Sequence, residues 1–425
     1  MISSEAPRGP QQLDSSDGPN RPKPRLAIVS PFLDKSHGTE RMVIEWIERL
    51  ADEFEIHVYS QQIEDLNLSK IVWHRVPKIP GPHLFNFLYW FSANSRMRRR
   101  DSHKQKRSFD IVFSPGTNCL DADAVTVHIV FAEFFRRVGA DLKFTRNSIR
   151  VWPRLLHRRI YYRVVMALEA CVFRNAKTQL ILTAPQSAAE ISRFFGRTEK
   201  FPVVSPGLDH TVFNWEVRSR LREDARQSLS IPSDRFILLL VGNDWRKKGL
   251  GALLLVLDIL SNLPIDLIVA GRDDPSSFLR VLRERSLESR VRFLPPRKDV
   301  EFFYAAADAY AGPSLEDTFA LPASEAMACG LPVIVSGRAG AAGIITHGVD
   351  GLVINDPTDA QELAGLVRQL YEDRAFRERI GANGVITARK YTWERSTQDL
   401  ADAFCDILRR KGERVPEIQI AAVSQ

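Results

Sequence analysis

Cysteine is scarce in this chain. There are four in 425 residues, Cys119, Cys171, Cys329 and Cys405, and they lie far apart. Thiols so scattered form no disulfide framework and no metal-ligand spacing, and they suit a reducing cytosol. Long apolar runs are absent as well. No stretch approaches the ~18 residues of a spanning helix, so a membrane-crossing protein is not expected. Residues 1–24 are rich in Pro, Ser and Gly and lack the apolar centre of a signal peptide. They are expected to form a disordered lead-in. No internal repeat is found.

Acid is nearly missing from two segments. Residues 96–107 carry Arg96, Arg98, Arg99, Arg100, Lys104, Lys106 and Arg107 against Asp101. Residues 136–163 carry nine basic residues, among them Arg146, Arg150, Arg154 and Arg158, against Asp141. Together they hold +14 of a chain whose total is +7, so the remainder is net acidic at −7. Such polarity points to an anionic partner surface beside the N-terminal half.

What is present is an ordinary globular composition, 44% hydrophobic and 26% charged, at a length that suits two domains. Short apolar runs at 26–30, 55–60, 111–113, 125–129 and 180–183 read as strands separated by helical stretches. The rhythm restarts after Pro206-Gly207, with strands expected at 236–241, 265–270, 291–294, 309–311 and 332–335. Strands alternating with helices predict parallel, doubly wound sheets. A last helix is expected over 400–408.

Three loops carry candidate chemistry. In Pro313-Ser314-Leu315-Glu316-Asp317-Thr318-Phe319-Ala320-Leu321-Pro322-Ala323-Ser324-Glu325, two carboxylates, Asp317 and Glu325, flank a loop that leads into a helix. Pro322 suits the helix start, and Gly330 with Pro332 suits its stop. Glu325 is thus expected in the first turn, available to a ligand's hydroxyls. Gly242-Asn243-Asp244-Trp245-Arg246-Lys247-Lys248-Gly249 follows the first strand of the second domain. There a cation cluster can neutralise a diphosphate at the carboxyl edge of a parallel sheet. His37-Gly38-Thr39-Glu40-Arg41 follows the first strand of all, where a glycine lets a phosphate or sugar approach the backbone.

The spacing of Asp317 and Glu325, with the helix punctuation between them, resembles the acidic signature of family 4 glycosyltransferases. The resemblance spans roughly residues 25–410. It implies an α/β architecture of the GT-B type: two Rossmann-like parallel-sheet domains facing across a cleft. The expected divisions are a lead-in at 1–24, an acceptor-binding domain at 25–203 and a nucleotide-sugar domain at 204–390. A C-terminal helix at 391–411 would pack back on the first domain, ahead of a tail at 412–425.

The same resemblance implies roles. Lys248 and its neighbours Arg246 and Lys247 would hold the diphosphate, with Gly242 and Asn243. Glu325 would bind ribose, Asp317 the transferred sugar, and the backbone of Phe319, Ala320 and Leu321 the sugar and diphosphate. Gly38 and Thr39 belong to the first-domain loop, Gly271, Arg272, Pro296 and Arg297 to the nucleotide pocket, and His128 faces donor or acceptor sugar. The family usually has Glu at Asp317, glycine at Thr39, arginine at Asn243 and Glu at Gly343. Asp121-Ala122-Asp123 resembles a metal motif of a different architecture and is set aside.

Retaining transfer of a hexose from a nucleotide sugar to a glycan or lipid-linked acceptor is the implied reaction, with no metal and no cofactor. Cell-envelope polysaccharide or lipopolysaccharide synthesis is the implied setting. Basic residues beside the aromatic run 84–90 and beside Trp152 predict peripheral attachment to an anionic inner membrane face, and no nucleic-acid partner. Two other readings stay open: an epimerase or phosphorylase of the same fold, and a decayed basic module that binds membrane or nucleic acid.

Overall fold

The computed structural model describes residues 22–138, 152–413, 415, 416, 418 and 420. The lead-in up to residue 21 lies outside them, as do Asp141, Lys143, Arg146, Ile149 and Arg150 of the second basic segment.

In the first half the strands are β1 (Arg25–Val29), β2 (Phe32–Leu33), β3 (Glu55–Ser60), β4 (Gln62–Ile63), β5 (Val72–Arg75), β6 (Ile111–Pro115), β7 (Ala124–Val127) and β8 (Gln179–Leu182). The helices are α1 (Gly38–Leu50), α2 (His83–Gln105), α3 (Phe131–Val138), α4 (Trp152–Phe173) and α5 (Ser187–Phe195). Six strands make one parallel sheet in the order β5-β3-β1-β6-β7-β8, while β2 and β4 pair separately.

After α6 (Trp215–Ser228) the second half follows the same plan, with β9 (Phe236–Val241), β10 (Ile265–Ala270), β11 (Val291–Leu294), β12 (Ala309–Gly312), β13 (Val333–Ser336) and β14 (Leu352–Ile354). Its helices are α7 (Leu250–Ile259), α8 (Ser276–Glu284), α9 (Glu301–Ala306), α10 (Leu321–Ala328), α11 (Ala360–Glu372) and α12 (Arg374–Ala388). The sheet order is β11-β10-β9-β12-β13-β14, all parallel. In each sheet the chain starts at the centre, winds to one edge, then returns and winds to the other. The reversals fall between β1 and β6 and between β9 and β12, where loops leaving neighbouring strands diverge and open a crevice.

The central strands are largely apolar because both faces of each sheet are covered. Along β9, Ile237 and Leu239 join one core while Phe236, Leu238 and Leu240 join the other. In β1, Leu26 and Ile28 face one layer and Ala27 and Val29 the opposite one. Four strands were not expected from the sequence: β2 and β4, of two residues each, and β5 and β14. β5 is an edge strand with no buried residue, and β14 has three residues. None carries an apolar run long enough to stand out.

The last helix, α13 (Trp393–Lys411), crosses to the first domain. Trp393, Leu400, Phe404 and Leu408 enter the core built on β1 and α1, and Phe404 meets Phe54 and Phe113 edge-on. Trp46 Nε1 donates to Ser396 Oγ at 2.9 Å. The two crossing segments are tied together, Leu208 N–H donating to Tyr391 O at 3.1 Å. The tail beyond the helix adds Val415, Ile418 and Ile420 to the same core.

Candidate active site

A cleft of about 780 Å³ lies between the two sheets. Its walls are the carboxyl ends of β1, β7 and β8 on one side and of β9, β10, β11 and β12 on the other. Three helices start at its edge: α1 at Gly38, α7 at Leu250 and α10 at Leu321. None of the three has a side chain capping its first amides. Asn214, Asp359, Asp373 and Thr392 cap α6, α11, α12 and α13, while α2, α5, α8 and α9 also lack a side-chain cap. Uncapped helix starts with positive dipole ends suit an anionic ligand.

The loop after β9 is shaped by two glycines. Gly242 has φ +137, and a Cβ there would lie 3.1 Å from Lys248 Cε. Gly249, with φ +86, caps α7 and passes so close to Pro313 that a Cβ would sit 2.1 Å from its carbonyl oxygen. Both positions favour glycine through the left-handed backbone, and together they set Lys248 at the mouth of α7. Its ammonium forms an ion pair with Asp317 Oδ2. Asn243 Oδ1 accepts the Arg272 N–H at 2.9 Å, which ties this loop to the end of β10.

Asp317 works in two directions. Its Oδ1 accepts the Ala320 N–H at 3.1 Å. Ala320 is a non-glycine residue at φ +67 and starts α10. That backbone costs about 1–2 kcal/mol, and the carboxylate helps to hold it. Ala320 and Leu321 thereby face the cleft with Phe319. Glu325 is the fifth residue of α10, in the second turn rather than the first as expected, because the helix begins at Leu321. Its carboxylate is positioned by side chains rather than by the dipole. Oε2 accepts the Tyr304 hydroxyl at 2.7 Å, and Oε1 pairs with Arg41 Nη1 at 3.1 Å. Tyr304 is fully buried, and burial plus the neighbouring carboxylate push its phenol well above its ordinary value, so it stays a donor.

From the first domain come His37, Gly38, Thr39, Arg41 and His128. His128 follows β7, and Thr126 Oγ1 lies 3.0 Å from its Nε2. Its Nδ1 has no protein partner among the described residues. Burial pushes the imidazole down to about 4, so the ring is neutral near pH 7. Three residues on, α3 begins at Phe131, where the buried Glu169 of α4 accepts the Phe131 and Ala132 N–H groups at 2.8 and 3.2 Å. Burial outweighs those amides and pushes the Glu169 carboxyl up to about 7.

Lys248, Asp317, Glu325 and His128 line this one cleft, as do Gly38, Thr39, Gly242, Asn243, Gly271, Arg272, Pro296, Arg297, Phe319, Ala320 and Leu321. Arg246 and Lys247 do not. Arg246 is exposed outside it. Lys247 pairs with Asp244 at 3.0 Å and sits 5.5 Å from the Phe134 ring of the first domain. Arg297 reaches Asp299 at 2.7 Å and lies over the Phe302 ring at 4.0 Å. Glu316 is not in the lining. At Gly343 a Cβ would come within 2.7 Å of Gln186 Oε1, so the Gln186 side chain would have to shift to admit a larger residue. Asp121 is held by Arg98 at 2.8 Å and Asp123 by Lys411 at 2.7 Å.

Two residues escaped sequence reasoning. Tyr304 lies in an apolar helix that reads as core. Arg41 was visible only as one residue of the first loop, and its partner lies 284 residues later.

Comparison with known proteins places these features in a wider group. The family described as Glycosyl transferases group 1 matches residues 222–385. The D-inositol 3-phosphate glycosyltransferase of Nocardioides sp. (strain ATCC BAA-499 / JS614) is 31% identical over 222 residues, covering 48% of this chain and 47% of that protein. Its counterpart in Corynebacterium aurimucosum is 28% identical over 245 residues, 55% and 58% of the two chains. The chain thus spans about half the length of the curated relatives it matches. Among solved structures, WaaG, a glycosyltransferase involved in lipopolysaccharide biosynthesis, superposes with a TM-score of 0.73 at 22% identity, covering 89% and 99%. Anabaena HepE in complex with UDP-glucose gives 0.68 at 19%, covering 90% and 99%.

Proposed function

We propose that the chain, whose residues 222–385 match the family described as Glycosyl transferases group 1 and whose fold is of the GT-B type, moves a hexose from a nucleotide-diphosphate sugar to a hydroxyl, with retention of anomeric configuration. The observation that carries this is the convergence of Lys248, Asp317, Glu325 and the uncapped starts of α1 and α10 on one interdomain cleft. The nucleotide would occupy the second-domain wall, with ribose on Glu325 and the diphosphate by Lys248.

As the bond between anomeric carbon and phosphate oxygen breaks, charge grows on the leaving diphosphate. Lys248 and the helix starts oppose that charge more strongly in the transition state than in the ground state. The acceptor oxygen bonds to the same face of the anomeric carbon, and its proton passes to the departing phosphate oxygen. No separate general base is required. Asp317 orients sugar hydroxyls, and the partnerless Nδ1 of His128 is available to one more. Cations and amides of the chain neutralise the diphosphate, so divalent metal is not needed. The UDP-glucose bound by HepE supports a nucleotide sugar as donor.

For the acceptor we favour a lipid-linked glycan of cell-envelope polysaccharide or lipopolysaccharide, met at the inner face of the membrane. Among the described residues no helix is long and apolar enough to cross a membrane. The support is surface chemistry. α4 exposes Trp152, Leu156 and Ile160 beside Arg154, Arg158 and Arg163. α2 exposes Phe85 and Leu88, and Tyr161 of α4 meets His83 and Phe87 of α2. Part of the basic excess is internal, however. Arg98 is buried on Asp121, Arg107 lies 3.6 Å from Glu55, and Arg136 pairs with Glu133, all within the first domain. The names of the curated relatives make a soluble phosphorylated polyol the competing acceptor.

Radiolabelled sugar transfer from a panel of nucleotide sugars to membrane lipid extracts and to inositol phosphates separates these readings. Calorimetry with UDP, GDP and ADP in EDTA should show binding of one of them. Loss of all binding on chelation would end the metal-free reading.

A further inference from the structure

Resting on the donor assignment above, we propose that Arg41 is a displaceable latch. It holds Glu325, then yields that carboxylate to ribose and turns to the diphosphate of the donor.

The geometry has three parts. First, both oxygens of Glu325 are engaged before any ligand arrives: Tyr304 donates to Oε2 at 2.7 Å, and Arg41 Nη1 donates to Oε1 at 3.1 Å. The Tyr304 bond is internal to the second domain and fully buried. The Arg41 bond crosses from α1 of the first domain and is the one a ligand can reach, with the Arg41 side chain 24% exposed and both residues in the cleft lining. Ribose hydroxyls bound to Glu325 compete with Arg41 for Oε1.

Second, Lys248 is also taken, by Asp317. The cleft is electrostatically self-paired, cation to carboxylate twice over. A nucleoside diphosphate carries the groups to exchange the Arg41–Glu325 pair, with hydroxyls for Glu325 and phosphate oxygens for the released guanidinium, while its phosphate also competes with Asp317 for Lys248. Binding becomes a swap of partners rather than the burial of new charge.

Third, Arg41 is suited to move. Among the described residues its side chain makes one hydrogen bond, to Glu325, and its guanidinium carbon lies 6.0 Å from the Trp393 ring. A guanidinium has five N–H donors in a planar fork that fits phosphate. Arg41 is three residues beyond Gly38, at the start of α1, where the uncapped amides already favour an anion. Because the latch joins the two domains, its exchange couples donor binding to the contact between them.

The test measures affinity for the uncharged nucleoside and for its diphosphate, using the base selected from uridine, guanosine and adenosine. Wild type is compared with Arg41→Ala and Arg41→Gln, the second retaining length should the first fail to fold. The latch predicts that both variants bind the nucleoside more tightly, because Oε1 is vacated. They bind the diphosphate more weakly, by about tenfold, the equivalent of about 1.4 kcal/mol. The preference for diphosphate over nucleoside therefore falls by at least that factor. A preference unchanged within twofold, including equal weakening of both ligands, overturns the latch while leaving the donor site intact. Failure of wild type to bind any of the three diphosphates overturns the donor assignment itself.

Discussion

Replacing Lys248 with alanine removes one cation and unmasks one anion. In the free enzyme its ammonium sits on Asp317 Oδ2, and that carboxylate also holds the strained start of α10 through the Ala320 N–H. With the lysine gone, the Asp317 carboxylate loses its cation and faces the diphosphate. Two unit charges about 4 Å apart at an effective dielectric near 20 interact by about 4 kcal/mol. A lost contact to developing charge is worth about 3–4 kcal/mol in the transition state. The first effect acts on bound donor and transition state alike, the second only as the bond breaks. Lys248→Ala is therefore expected to lower kcat by about 10²–10³-fold and to raise donor KM as well. The double variant Lys248→Ala/Asp317→Asn removes the repulsion, so its KM should return toward wild type while kcat stays low. Initial rates of labelled sugar transfer over a donor titration, at saturating acceptor, give both constants. A single variant with kcat within twofold of wild type would refute the phosphate assignment, and a double variant that regains kcat would refute the division of roles.

Three further predictions follow from the same geometry. Glu325→Ala should mainly raise donor KM, and it should destabilise the fold by about 1–3 kcal/mol because the buried Tyr304 hydroxyl loses its acceptor. Chemical denaturation of the two proteins checks the second part, and equal stability would show that Tyr304 finds another partner. Glu169, raised to about 7 in the folded protein, binds its proton more tightly folded than unfolded. Its stabilising contribution is complete below pH 4.5 and is lost as pH rises through 7, amounting to about 2–3 kcal/mol. Melting temperature against pH should fall over this window in wild type relative to Glu169→Gln, and parallel curves would contradict the assignment. Binding to anionic vesicles in sedimentation should weaken steeply with salt and fall further in Arg154→Glu/Arg158→Glu, whereas equal binding to neutral vesicles would exclude the proposed electrostatic attachment.

Much of this protein was set by local pattern. The apolar runs 236–241 and 265–270 became β9 and β10 because only buried strands of a doubly covered sheet tolerate such continuous hydrophobicity. The acidic loop announced its helix through Pro322 and Gly330, and the glycines at 242 and 249 marked tight backbone around Lys248. Such signals survive in one dimension because they depend on neighbours a few residues away. Edge strands such as β5 and β14 did not, since short or exposed strands need little apolar sequence.

What only the tertiary structure decided was pairing across distance. Arg25 looks like the polar start of a strand, yet it is buried with Glu55 and His57 beneath α2. Arg98 belongs to a run of surface-type basic residues, yet it is 3% exposed and clasped by Asp121. Glu325 could be placed on a helix from its spacing, but not between Tyr304 and Arg41. Those partners come from a core helix of one domain and the first turn of α1 in the other, brought together only when the two sheets face each other. A charge pair depends on separation in space, and sequence spacing carries that information only within a turn or a strand.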